Sequence, residues 1–388
     1  MERVFLIILD SLGIGEAPDA KVFGDAGANT LKSLYKTGIL NIPNLERMGI
    51  GNIDGIDYLI KEANQTASVA RLLEISSGKD TTVGHWEIAG IISRAPFPTY
   101  PEGFPREIIE EFERQCNIKT LCNKPYSGTE VIKDYGDEHL KTGSLIVYTS
   151  QDSVFQIAAH EDIVPPEKLY EYCRIARKIL TGKHNVGRVI ARPFITEKGE
   201  YKRTANRRDF SVSPHAKTVL DSISEGGLSV ISVGKISDIF NGVGITEAIP
   251  SHSNEEGMAI TKELLKKDFK GLAFTNLVEF DSHYGHRQDA VGYAKALNAF
   301  DAWLPSFIEG LGDDDTLIIT ADHGCDPSDN STDHTREFVP LLVYSKSIKA
   351  KNFGTMKSFS SVAKIISDML DVDFEPEIYD EATKGFTE

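Results

Sequence analysis

Short unbroken apolar runs alternate with segments of three- and four-residue apolar spacing from one end of the chain to the other. The runs "RVFLIILD", "GLSVISVGKI", "GLAFTNLVEFD" and "DTLIITAD" predict buried strands. The segments "NTLKSLYKTG", "GMAITKELLKKDF", "AVGYAKALNAFDAWLPSFIEGL" and "SFSSVAKIISDML" carry helical spacing, with glycine or an Asx/Ser residue at many of their ends. Such alternation predicts α/β architecture, a mostly parallel sheet flanked by helices. Three of the strands run straight into an acid: Asp10, Asp281 and Asp322. In an open parallel sheet the ligand crevice lies at the carboxyl ends of the strands, so these acids are expected to converge despite their distance in sequence.

From about Pro96 to Ser213 the pattern changes. The proline-rich "APFPTYPEGFP" introduces helices ("REIIEEFERQ", "PEKLYEYCRIARKIL") and strands ("GSLIVYTS", "GRVIARPF"), then the basic stretch "YKRTANRRDF". The first pattern resumes at "SPHAKTVLDSI". This predicts a second α/β unit, residues 96–213, inserted into a core made of residues 1–95 and 214–388.

Charge narrows the partners. With 42 basic and 58 acidic residues the formal net charge is -16, which opposes non-specific attraction to nucleic acid or an anionic membrane. A small anionic substrate remains open to it, because a few local cations or a metal can hold a phosphate. The four cysteines form no CxxC pair and are too sparse for a disulfide scaffold, which favours a reducing compartment. The apolar run "VFLIIL" before Asp10 is far shorter than a signal h-region or a membrane span of about 20 residues. The expected location is the cytoplasm.

The segment "TADHGCDPSDNSTDHTRE" sets Asp322 and His323 side by side at a strand end and returns with His334. In "EFDSHYGHR", Asp281 and His286 flank a glycine-containing turn. With Asp10 these make three carboxylates and three imidazoles, a donor set that suits Mn²⁺, Zn²⁺ or Fe²⁺ better than Ca²⁺ and is large enough for two ions with open positions. Two ions at roughly 3.5–4 Å can clamp the attacking and leaving oxygens of a phosphoryl transfer. A metal beside a threonine oxygen also lowers its pKa, so either hydroxyl of "GKDTTVGHWEIAG", Thr81 or Thr82, is a candidate nucleophile. His85 and Trp86 just behind read equally well as packing residues or as support for the site.

The strings "LDSLGIGEAPDA", "GKDTTVGHWEIAG", "GTE", "GSLIVYTSQDSVFQIAAHE", "VGRVIARPF", "GKISDIF", "FDSHYGHR", "ITADHG" and "TDHTRE" together resemble the prokaryotic-type phosphopentomutases of the alkaline phosphatase superfamily. The resemblance implies an alkaline phosphatase-like core with an inserted cap, and two Mn²⁺ ions. Asp10, Asp322 and His323 would hold one ion, and Asp281, His286 and His334 the other. It makes Thr81, directly after the aspartate of "GKDT", the phosphorylated nucleophile. The implied reaction interconverts ribose 1-phosphate and ribose 5-phosphate, or the 2-deoxyribose equivalents, through a 1,5-bisphosphate that also serves as activator. For the sugar and its distal phosphate it points to Ser150, Asp152 and Arg188, with Lys235 as a cation from the core. Arg203, in the basic run with Arg207 and Arg208, is a further candidate. The sequence departs from the family at Cys325, where relatives commonly carry asparagine. A phosphatase or a phosphoglycerate mutase of the same superfamily, or a sensor that keeps the ligands without turnover, are the rival readings.

Overall fold

The computed structural model describes residues 2–150 and 153–387. It divides into two compact units, Met1–Ala95 with Pro214–Glu388, and Pro96–Ser213.

The first unit is built on an eight-stranded sheet. In spatial order its strands are β10 (Glu247–Ile249), β9 (Ser229–Val233), β11 (Gly271–Leu277), β1 (Arg3–Leu9), β12 (Asp315–Thr320), β13 (Val339–Ser345), β2 (Ser68–Leu72) and β14 (Asn352–Met356). Pairing is parallel except where β13 runs antiparallel to both neighbours. The helices Ser361–Leu370, Asn254–Glu263 and Val219–Glu225 pack against β1, β11 and β9. Covered on both faces, β1 is apolar except for Arg3 and β12 carries Leu317, Ile318 and Ile319 at its centre, and each fully buried Phe, Leu or Ile side chain contributes about 1.5–3 kcal/mol relative to exposure. Register decides what the sheet edge presents. Leu9 lies opposite Leu277, and Ile8 opposite Thr320, so β1, β11 and β12 all end on the same edge.

The second unit holds a six-stranded mixed sheet, β3 (Thr120–Pro125), β4 (Leu145–Thr149), β5 (Val154–His160), β6 (Arg188–Glu197) and β7 (Glu200–Arg203), with β8 (Arg208–Ser211) also on β6. One face, with Leu145, Val147, Phe155, Ile157 and Val189, is buried with Ile108 and Phe112 of the helix Arg106–Cys116 and Leu169 and Cys173 of the helix Pro166–Ile179. On the other face the helix Glu130–Thr142 covers Ile146, Tyr148, Ala158 and Phe194. Tyr148 pairs with Gln156 and Gln156 with Ile190, which puts Arg188 and Arg192, two residues either side of Ile190, on that same face. Among the described residues no helix is long and apolar enough to cross a membrane.

Candidate active site

The three acids meet at the shared edge of β1, β11 and β12. Asp10 follows β1 directly, and Ser11 after it takes φ +69°, a left-handed conformation that costs a non-glycine residue of order 1 kcal/mol or more. Two contacts hold it there: the Ser11 N–H donates to Asp322 Oδ1 at 3.1 Å, and its hydroxyl lies 3.2 Å from the Tyr293 hydroxyl, which in turn donates to Asp10 O. Asp281 is not at the strand end itself, as its sequence context suggested. After β11, residues Phe280–Gly285 form a single wide π turn in which the His286 N–H donates to Asp281 O. A five-residue repeat stacks side chains that an α-helix would splay apart, and Asp281 Oδ2 thereby sits 3.2 Å from His286 Nε2.

The three histidines share one arrangement. Nδ1 of His286 faces Thr332 O at 2.6 Å, Nδ1 of His323 faces Gly324 O at 3.0 Å, and Nδ1 of His334 faces Lys79 O at 2.9 Å. A carbonyl oxygen only accepts, so each Nδ1 carries the proton and each Nε2 turns a lone pair inward. His286 Nε2 and His334 Nε2 then face each other at 3.1 Å, a placement that two bare lone pairs would not hold and that a shared proton in the metal-free chain or a bound cation satisfies. His323 Nε2 lies 3.2 Å from Asp322 Oδ2 and 3.5 Å from Asp10 Oδ1.

Burial makes this cluster an unbalanced charge. Asp10 Oδ1, Asp281 Oδ1 and Asp322 Oδ2 are buried without a hydrogen-bond partner among the described residues. Burial, together with the Asp322 and Asp281 carboxylates, pushes the Asp10 carboxyl up to about 7. Burial also works against Asp281 and Asp322, but the His334 and His286 imidazoles beside the first, and His323 and His85 beside the second, hold both below the usual carboxylate range. Leaving a buried carboxylate oxygen unpaired is costly, and a divalent cation removes that cost. The orphaned oxygens and inward lone pairs therefore fit metal ligation. Donor atoms of Asp281, His286 and His334 lie within 4.8 Å of one another, as do those of Asp10, Asp281 and His323. Asp281 thus belongs to both groups. Asp322 offers its free oxygen between His323 and His85.

The helix Thr81–Ile88 begins at this cluster. Asp80 caps it, accepting from the Thr82 and Val83 N–H groups at 3.0 and 3.1 Å, so Thr81 is the first helical residue. Thr81 Oγ1 lies 3.2 Å from His323 Nε2, whereas Thr82 gives its backbone N–H to the cap. The loop before the helix is tied from below. Arg336, buried like its partner Glu74, donates to Gly78 O at 2.7 Å, and the Lys79 ammonium meets the buried Asp25 at 3.1 Å.

The chain also has close relatives. The Metalloenzyme superfamily profile matches residues 2–373. A phosphopentomutase of Lachnoclostridium phytofermentans is 56% identical over 374 residues, 96% of this chain and 96% of that protein. One from Acetivibrio thermocellus is also 56% identical over 374 residues, with the same coverage of both chains. The chain belongs to the phosphopentomutase family. It is therefore an enzyme, from a superfamily of divalent-metal enzymes. A solved structure from Pyrococcus horikoshii, 16% identical, matches with a TM-score of 0.51 over 96% of this chain and 98% of that one, a likeness of fold.

The substrate residues suggested by the phosphopentomutase resemblance lie apart from the cluster in sequence. Ser150 follows β4, and Arg188 opens β6 opposite Val154, so both sit at one end of the second sheet. Asp152 lies outside the described residues. Arg188 faces Asp209 at 3.6 Å, and Arg207 grips the same carboxylate through two bonds of 2.8 Å. Arg203 pairs with Phe194 in the ladder, six residues along β6 from Arg188 or roughly 20 Å of strand, and donates to Thr129. Lys235 is exposed, two residues beyond the end of β9. Cys325 is buried, and burial with the nearby Asp281 and Glu337 carboxylates holds its thiol protonated, against a role as thiolate ligand. Sequence reasoning passed over Ser11, Asn276, Tyr293 and Arg336. Asn276 alone left a signal, as a polar side chain inside the apolar run of β11.

Proposed function

We propose that the chain is a phosphopentomutase that interconverts ribose 1-phosphate and ribose 5-phosphate, and the 2-deoxyribose equivalents, using two Mn²⁺ ions and a phosphorylated Thr81. One observation carries the reading: in this chain, a member of the phosphopentomutase family, the Thr81 hydroxyl stands 3.2 Å from His323 Nε2, within a buried donor set in which one oxygen of each carboxylate lacks a partner among the described residues. Asp10, Asp322 and His323 would hold one ion and Asp281, His286 and His334 the other. Bound there, the metals would lower the pKa of the threonine hydroxyl and offset the charge of the phosphoryl group.

The chain's own residues supply the rest. Phosphorylated Thr81 gives its phosphoryl group to the free hydroxyl of the sugar monophosphate, forming the 1,5-bisphosphate and the Thr81 hydroxyl. Thr81 then attacks the other phosphate, restoring the phosphothreonine and releasing the isomer. A trace of bisphosphate is thus the activator that primes the enzyme. As the first residue of its helix, a phosphorylated Thr81 meets the positive end of the helix dipole, worth about 0.3–1 kcal/mol. The Thr81 hydroxyl lies 3.2 Å from His323 Nε2, and with that nitrogen committed to ligation the bound metal, not the imidazole, would favour loss of the hydroxyl proton. Ser150, Asp152, Arg188, Arg203 and Lys235 would bind the sugar hydroxyls and the distal phosphate, for which an arginine fork is suited.

The test is conversion of ribose 1-phosphate to ribose 5-phosphate with Mn²⁺ and a trace of sugar 1,5-bisphosphate. Catalytic isomerisation without phosphate release is expected. Stoichiometric inorganic phosphate would instead identify a phosphatase.

A further inference from the structure

His85, one turn into the helix that carries Thr81, has no exposed surface. Its Nδ1 lies 2.8 Å from Thr81 O and 3.1 Å from Asp322 Oδ2. Its Nε2 lies 3.2 Å from Asn276 Nδ2, and that same amide nitrogen donates to Asp10 Oδ2 at 2.7 Å. These contacts fix every orientation. An amide nitrogen, not its oxygen, must face the Asp10 carboxylate, and its second hydrogen is received by an unprotonated Nε2. Nδ1 therefore carries the proton and points it at the Thr81 carbonyl. Asp322 Oδ2 lies beside that proton at 3.1 Å, an electrostatic contact that steadies the carboxylate and leaves the oxygen with lone pairs for a cation.

Gly84 allows the approach. A Cβ at that position would stand 2.0 Å from Asp322 O, so only a glycine lets this turn of the helix press on the Asp322 backbone. Asn276 Oδ1 is buried without a partner among the described residues, a penalty accepted in keeping both amide hydrogens on His85 and Asp10.

We propose that His85, held by Asn276, is a positioning residue that locks the Thr81 helix to the two carboxylates Asp10 and Asp322, setting nucleophile and metal ligands in one register. It touches the backbone of Thr81 and not the substrate. The inference rests on the reading of Thr81 as nucleophile and of Asp10 and Asp322 as ligands. Partners that orient metal ligands typically change metal affinity by ten- to a hundredfold when removed. Here the same removal also loosens the nucleophile, so turnover should fall without a change in the contacts that hold the sugar.

The experiment compares wild type, His85→Ala, His85→Asn and Asn276→Ala by calorimetric titration with Mn²⁺, by kcat and KM, and by thermal unfolding of the metal-free proteins. We expect His85→Ala to weaken Mn²⁺ binding by ten- to a hundredfold and to lower kcat with KM little changed. An asparagine side chain can place its amide nitrogen near the position of ring Nδ1, so His85→Asn should recover most of the affinity. Wild-type Mn²⁺ affinity in a folded His85→Ala, or an asparagine variant no better than alanine, would overturn the proposal. If His85→Ala does not fold, Asn276→Ala decides: unchanged Mn²⁺ affinity there also overturns it. Wild type that binds Mn²⁺ but does not isomerise sugar phosphates would refute the proposed activity while the affinity series still judges the role of His85.

Discussion

Both units of the chain gather charge on a sheet, but in opposite sense and with opposite balance. In the core, three carboxylates converge, Asp10 and Asp322 just past strand ends and Asp281 from the π turn beyond β11, and one oxygen of each is buried with no partner among the described residues. In the inserted unit, arginines gather on the open part of one sheet face and find their counter-charge within the unit, Asp209 taking two bonds from Arg207 and a contact from Arg188. The core arrangement is incomplete as protein alone. The arginine face has a carboxylate of its own, Asp209, shared between Arg188 and Arg207, and Arg188 is about 40% exposed. Under the proposed function, the contrast corresponds to resident cations in the first region and a transient phosphate in the second.

Removing the core donors should have the largest effect. Asp281→Ala combined with Asp322→Ala takes a carboxylate from each proposed ion, and we expect loss of bound Mn²⁺ together with a fall in turnover of at least about a thousandfold. Full metal content by atomic emission in a folded double variant would erase the contrast. Arg188→Ala should do the reverse. Loss of a charged hydrogen bond to phosphate predicts roughly a ten- to hundredfold drop in kcat/KM at unchanged metal stoichiometry. The ratio of inorganic phosphate released to sugar phosphate isomerised should rise, and an unchanged ratio with unchanged kcat/KM would remove Arg188 from the substrate site.

Acidity separates the regions more gently. The hydrogen bond and charge of Asp281 push His286 up to about 9, so at neutral pH the metal-free imidazole holds a proton that ligation must expel. Mn²⁺ affinity should therefore climb as pH rises toward about 9, by up to tenfold per unit, with proton release visible by calorimetry in buffers of different ionisation heat. Binding without proton release would contradict this. In the inserted unit the pKa shift has the opposite direction. Burial would raise Asp209, but Arg207, Arg188 and Arg192 hold it below its ordinary value of 3.8, so its contribution is present above that value and lost as pH falls through the lower folded one. Asp209→Asn should lower Tm slightly near neutrality and progressively less in acid. A Tm gap that persists unchanged to about pH 3 would sever the carboxylate from the arginines.

The same contrast governs what could be read in the sequence. Asp10 and Asp322 were legible because parallel strands must be apolar throughout and end on a common edge, so an acid closing such a run declares its place. Asp281 and His286 were legible as a pair, but the π turn that brings them together leaves no mark in composition. Arg336 and Glu74 form a buried ion pair across most of the chain, and nothing local distinguishes either from a surface charge. His85 remained ambiguous for the same reason, since its role depends on Asn276 and Asp322 arriving from other strands. In the inserted unit the mixed pairing of the sheet decides which arginines share a face, and pairing order is set by tertiary packing. There the resemblance to phosphopentomutases, and not the spacing of residues, supplied the candidates.

The central claim is that Thr81 carries the phosphoryl group between the two ends of the sugar. Its most direct test is phosphopeptide mapping of the enzyme incubated with Mn²⁺ and ribose 1,5-bisphosphate, then chased with ribose 1-phosphate. The account predicts one phosphate on Thr81, lost to the sugar during the chase, and none in Thr81→Ala, while Thr82→Ala is labelled like wild type. Label on Thr82, or an unlabelled enzyme that still isomerises the sugar phosphate, would contradict it.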